Sequence, residues 1–80
     1  MMKEHSSREL IRYERGLETR VYQLRVLPGG AELWRVTETP GEPPRSIKEA
    51  DVASIEETLD LLEEIGRALT AAGWTGASGA

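Results

Sequence analysis

Hydrophobic and polar positions follow two rhythms along this chain. Across residues 20–37 they alternate, and across residues 54–73 they recur every three or four positions. Alternation marks a half-buried strand, and the longer spacing marks an amphipathic helix. The alternating part predicts a hairpin. Residues 20–27 (R-V-Y-Q-L-R-V-L) and 31–37 (A-E-L-W-R-V-T) are rich in β-branched and aromatic side chains, and Pro28-Gly29-Gly30 lies between them. Pro28 presets the first corner, and Gly30 takes the left-handed conformation that closes a three-residue loop. Such a loop sets Leu24 against Trp34, Tyr22 against Val36 and Val26 against Glu32. One face then collects Tyr22, Leu24, Val26, Trp34 and Val36. The other collects Val21, Gln23, Arg25, Leu27, Ala31, Leu33, Arg35 and Thr37. A two-residue loop would shift the register by one and put Arg35 beside Leu24 and Tyr22, because a slip of one residue exchanges whole faces.

Residues 9–15 read in two ways. They alternate as a strand with a turn near Gly16-Leu17-Glu18, and Ser6-Ser7-Arg8-Glu9 with Gly16 also fits a short capped helix. The strand is preferred, since a two-stranded ribbon is a weak platform for a long helix. Thr39-Pro40-Gly41-Glu42-Pro43-Pro44 is a loop, and residues 45–48 add a short edge strand. The helix starts between Glu49 and Ser54. Asp51 caps an early start, and Ser54 with Glu57 makes a capping box for a late one; Gly73 stops the helix. Val52, Ile55, Leu59, Leu62, Gly66 and Leu69 form one apolar stripe, and Leu61, Ile65, Ala68 and Ala72 a second. The combined arc is wider than a small sheet needs. One part is expected to cover Tyr22, Leu24 and Trp34. The rest predicts a homodimer across a two-fold axis, with Leu62, Gly66 and Leu69 at the contact. The fold class is therefore α+β: a small antiparallel β-sheet of three to four strands followed by one long C-terminal α-helix. Residues 1–80 form a single domain with an ordered core at about 9–74 and flexible termini.

Composition sharpens this reading chiefly by exclusion. Leu, Ile and Val make up 17 of the 80 residues and Phe is absent. That is just above the level of about 20% below which chains tend to stay disordered, so the core is small. With no Cys there is no disulfide, thiolate zinc site or cysteine nucleophile, and the only His is His5. No apolar run approaches the length of a membrane span, and residues 1–9 show no secretory pattern, so a cytoplasmic protein is expected. Residues 1–45 hold eight basic and seven acidic side chains, whereas residues 46–80 hold two and seven. The overall charge of −4 argues against indiscriminate coating of nucleic acid, while the arginine-rich first half leaves room for one basic surface.

The candidate chemistry is correspondingly narrow. Arg20, Gln23, Arg25 and Arg35 are the best site residues, because guanidinium planes pair with phosphates and stack on bases. The plain alternative is a solvated sheet face whose arginine stems cover aliphatics. Trp34 and Tyr22 read as core, and would be a stacking pair only if the register were inverted. Glu56, Asp60, Glu63 and Glu64 read as a solvated helix face, with no cleft to raise a carboxyl pKa. Pro28-Gly29-Gly30 lacks the continuation of a phosphate-binding loop. No metal, cofactor or catalytic residue is expected, so the chain reads as a non-enzyme.

Tyr22-Gln23-Leu24-Arg25-Val26 through Leu33-Trp34-Arg35-Val36, then Ser46-Ile47 and the segment Leu61-Leu62-Glu63-Glu64-Ile65-Gly66-Arg67-Ala68-Leu69, resemble the positive-cofactor-four or whirly-like single-stranded DNA-binding family. The resemblance covers roughly residues 10–72. It implies a twisted antiparallel sheet, helices that pair two subunits, and strands that bind unpaired DNA in transcription or DNA maintenance. Arg25 and Arg35 are the sheet positions it carries over. The chain departs from the family in its acidity and in having only Lys3 and Lys48 as lysines. The expected function is a homodimer that binds single-stranded nucleic acid on an arginine-bearing sheet face. The alternative is a protein–protein interaction or regulatory dimer, antitoxin- or adaptor-like, with no nucleic-acid binding.

Overall fold

Every alternating stretch of the chain becomes a strand in the computed structural model, which describes residues 6–77. The elements run β1 (Ser6–Arg15), β2 (Glu18–Leu27), β3 (Gly30–Glu38), β4 (Arg45–Val52), α1 (Ile55–Ala71) and β5 (Thr75–Ala77). They build one antiparallel sheet in the order β4-β3-β2-β1-β5, with the helix on one side. The fold is α+β, with five strands where three to four were expected. The fifth strand, β5, corrects the expectation that the chain frays after Trp74. Residues 75–77 pair with Arg12, Tyr13 and Glu14 instead. Strand order likewise begins earlier than position 9, since Ser6 and Ser7 already pair with Val26 and Arg25. The termini beyond residues 6–77 lie outside the described residues.

The central hairpin corrects the register. Leu27 pairs with Gly30, so the loop holds only Pro28 and Gly29, and Gly29 rather than Gly30 takes the positive φ of 88°. Proline at one corner followed by a left-handed glycine is the pattern of a tight turn, and Gly30 is left free to join β3. Tyr22 then lies opposite Arg35, Gln23 opposite Trp34 and Leu24 opposite Leu33. The single clean apolar face expected from the longer loop does not form. Tyr22, Leu24 and Leu33 share the helix side, while Trp34 and Val36 turn away from the helix.

Both ends of α1 are fixed by local hydrogen bonds. Ser54 Oγ accepts from the Glu57 N–H at 3.1 Å, and Glu57 Oε1 accepts from the Ala53 N–H at 2.8 Å. The helix therefore takes the late start, and residues 49–52 extend β4 rather than the helix. At the other end Gly73 (φ 95°) reverses the chain. Its N–H donates to Thr70 O at 3.1 Å, and the Trp74 N–H donates to Leu69 O at 2.9 Å. This is the paired closure of a Schellman motif, whose hydrophobic partners are the buried Leu69 and Trp74.

Tyr13, Tyr22, Leu33, Val52, Leu69 and Trp74 form the core, flanked by Leu61, Leu62 and Ile65 of the helix. The Tyr13 and Tyr22 rings meet edge to face with centroids 6.4 Å apart. Tyr13 is held from two sides by glycines. A Cβ at Gly66 would lie 2.7 Å from its hydroxyl, and a Cβ at Gly76 would lie 3.1 Å from its ring. Leu62, Gly66 and Leu69 thus face the chain's own sheet. That corrects their assignment to a dimer contact: the close approach permitted by Gly66 is used by Tyr13 of the same chain. The large apolar residues that α1 leaves exposed are Ile55 and Leu59.

Candidate nucleic-acid interface

Among the described residues no helix lies over the sheet's second side, where Trp34 stands on β3. Cross-strand pairing places Gln23 on one side of Trp34 and Lys48 on the other. Arg25, one position along the same face of β2, lays its guanidinium 4.0 Å from the Trp34 ring centroid. The indole Nε1 donates to Glu32 Oε1 at 2.9 Å. Its orientation is therefore set by a cation on the ring and a carboxylate at its polar edge, while the ring stays half-buried.

A bulge in β4 completes this arrangement. Ala50 pairs with Leu33 and Lys48 with Trp34, which leaves Glu49 as an extra residue. A bulge re-aims the side chains around it. Here it keeps Lys48 on the open face and lets Glu49 reach Arg35 on the helix side, with Oε2 3.1 Å from Arg35 Nε. Lys48 Nζ lies 3.0 Å from Asp51 Oδ1 and 3.7 Å from Glu32 Oε2. The bond to Asp51, with the neighbouring charge of Glu32, holds the Lys48 ammonium above its ordinary pKa. Arg12 is raised likewise by its hydrogen bonds to Glu9. Arg25 is the cation of this face without an ion pair among the described residues.

The four expected binding residues are divided between the two sides. Gln23 and Arg25 lie on the open face beside Trp34. Arg20 and Arg35 lie on the helix side, opposite Thr37 and Tyr22 respectively. Arg20 stacks on Trp74, 4.6 Å from its ring centroid, and Arg15 stands at the same distance from that ring. The single arginine face is thus corrected: the one-residue shift that corrects the hairpin moves Arg35, while Arg20, two positions from Tyr22 on β2, shares the side of Tyr22 in either register. The shift removes Arg35 from the open face and supplies an aromatic ring in its place. The sequence reading missed the pairing of Trp34 with Arg25. The Pro-Gly corner carried the signal for it, because the shorter loop puts these residues on one face.

The charge of the open face is mixed. Arg12, Arg25 and Lys48 face Glu9, Glu14, Glu32, Glu38 and Asp51 by their register. Attraction for phosphate is therefore small and local to Arg25, and contact with a planar ligand falls to the indole and the guanidinium. Among the described residues no helix is long and apolar enough to cross a membrane. Compared with protein-family models, curated proteins and solved structures, the chain gives no match.

Proposed function

We propose that this chain is a non-enzymatic, cytoplasmic module that binds single-stranded nucleic acid on the open face of its sheet. The observation that carries the reading is Trp34 on the uncovered face, stacked with Arg25 at 4.0 Å. Unpaired bases offer π-faces that stack on such a ring or on the guanidinium plane above it, and duplex DNA does not. Gln23 supplies an amide donor and acceptor for base edges beside the ring. The formal excess of acids on this face makes the binding stacking-led, with roughly one phosphate contact at Arg25. The affinity then falls with salt at a log–log slope of about −0.7, against several times that for a backbone-coating protein.

A titration of fluorescently labelled single-stranded oligonucleotides at about 50 and 200 mM salt tests the reading. The expected result is binding that weakens by less than about threefold between the two salts. Trp34→Ala should lose about tenfold or more in affinity, and Arg67→Ala, on the helix, should lose nothing. Absence of binding at the lower salt would overturn the reading and favour the protein-partner module that the acidic balance of this face also suits.

The partner on the helix is a second copy of the chain. Ile55 and Leu59 lie one turn apart on α1 and are 76% and 59% exposed, in a chain whose size leaves its core small. Sedimentation should give a dimer mass for the native chain and a monomer mass for Leu59→Glu; a monomeric native chain refutes the pairing.

A further inference from the structure

The helix side of the sheet is not covered evenly. From its start after β4, α1 runs towards β5, and beyond it β2, β3 and β4 present a corner built on Arg20, Thr37 and Arg45, which lie in one cross-strand row. Arg35 joins them from the next row. A cleft of about 410 Å³ opens at this corner, with the hydroxyls of Thr37 and Thr39 and the side chain of Ile47 also in its wall. Three arginines and two threonines in its wall make this cleft rich in donors, with the Arg20 guanidinium also resting on Trp74.

The charge pattern inside the cleft is uneven in a useful way. Arg35 has Glu49 as its ion-pair partner, and Glu18, which also lines the cleft, lies 3.6 Å from Arg15. Arg20 and Arg45 have no ion pair among the described residues. Glu42 is the remaining acid in the wall. The Nε atoms of both Arg20 and Arg35 are shielded from solvent and have no aligned hydrogen-bond partner among the described residues. Arg35 Nε is near enough to Glu49 for attraction yet is not aligned for a hydrogen bond. A buried donor without an acceptor is costly; the Glu49 carboxylate partly answers Arg35, and Arg20 Nε is the donor left for an added acceptor.

We propose that this corner is a binding site for a phosphate group, held by Arg20, Arg35 and Arg45 with Thr37 and Thr39. A phosphate offers several charged oxygens at once. It therefore satisfies converging planar guanidinium groups better than a carboxylate, which has two. The cleft exceeds the space of a bare ion, at about 30 Å³ per displaced water, and lies in the size range of small-molecule sites. An organic group attached to the phosphate has room beside Ile47. The site lies on the opposite side of the sheet from Trp34 and stands independently of the nucleic-acid reading.

The test is a nuclear magnetic resonance titration of the full chain with inorganic phosphate and, separately, with adenosine monophosphate, against sodium chloride at matched ionic strength. The side-chain Nε–H signals of Arg20 and Arg35 should move with phosphate and not with chloride. Arg45→Gln, at an exposed position, should weaken the apparent affinity about tenfold, the loss of one charge-assisted contact. Glu42→Gln should strengthen it severalfold, because it removes the opposing charge. Both changes should leave the far-ultraviolet circular dichroism untouched. Tighter binding of the nucleotide assigns the site to phosphate carried on an organic molecule, and equal binding assigns it to the free ion; both uphold the proposal. Nε–H signals that respond only to ionic strength, or a Glu42→Gln change that leaves phosphate affinity where it was, would overturn it.

Discussion

The two sides of one sheet solve the same problem by different means. On the helix side, Tyr22 and Leu33 are almost wholly removed from water, with 1% and 0% exposure, under a helix fixed at both ends. On the open side, Trp34 has no element above it among the described residues. A stacked arginine and a carboxylate hold it in place, and Val21 is buried in the centre of the sheet between its cross-strand neighbours Arg12 and Val36. Burial under a helix commits a side chain to stability. An aromatic ring capped by a half-buried arginine with no ion pair among the described residues keeps a planar surface that a ligand can share. The difference teaches that position relative to α1, rather than residue type, decides which aromatic side chain serves the core.

The largest effect expected from this contrast is on the covered side. Leu33→Ala should lower unfolding stability by about 3 kcal/mol, as a fully buried leucine does when a cavity replaces it. Urea denaturation measures it, and a loss no greater than that of Trp34→Ala would break the contrast.

Gly66→Ala comes next. Alanine favours helix formation by about 1 kcal/mol over glycine, yet here its Cβ would meet the Tyr13 hydroxyl. Tyr13 cannot withdraw easily, because Gly76 closes on its ring from the other side. The substitution should therefore destabilise the chain by about 1 kcal/mol net. Tyr13→Phe in the same chain should relieve most of that cost. A stabilising Gly66→Ala would show that the helix does not rest on this ring.

Trp34→Ala should cost only about 1 kcal/mol of stability, the scale of a lost half-buried cation–π contact with some apolar area. Under the proposed function, its larger effect should be on oligonucleotide affinity. A severe loss of stability would return Trp34 to the core.

The smallest effect is alkaline. Burial pushes the Tyr22 phenol above its ordinary value, with Arg20 and Arg35 opposing and Glu49 adding to the rise. A raised phenol pKa favours the fold while the group is protonated. Its contribution is complete below the unfolded value of about 10 and is lost as the pH climbs through the folded value. Tyr22→Phe should remove that loss, which stability measured between about pH 9 and 11 would show.

Much of this molecule is legible before any coordinates are seen. Alternation at residues 20–37 and the capping pair Ser54 and Glu57 reflect local energies, and so does the stop at Gly73, which makes the hairpin and the helix readable. The register is less so. It turns on whether Gly29 or Gly30 is left-handed, a choice of one residue that local propensity hardly separates but that moves Trp34 and Arg35 to opposite sides. Residues 75–77 are read as a tail because Thr-Gly-Ala has no strand pattern of its own. They become β5 only because the closed helix end carries Trp74 beneath Arg15 and Arg20 and delivers the chain to β1. The candidate site is half legible: alternation puts Gln23 and Arg25 on one face, while the ring they surround reads as core.

The chain carries two indoles, one on each side of the sheet, and their Nε1–H signals can be followed together in the unmodified protein. Titration with a short single-stranded oligonucleotide should shift the Trp34 signal and leave that of Trp74, buried between Arg15 and Arg20, in place. A Trp34 signal that stays fixed at saturating oligonucleotide, or a response confined to Trp74, would contradict the open face as the binding surface.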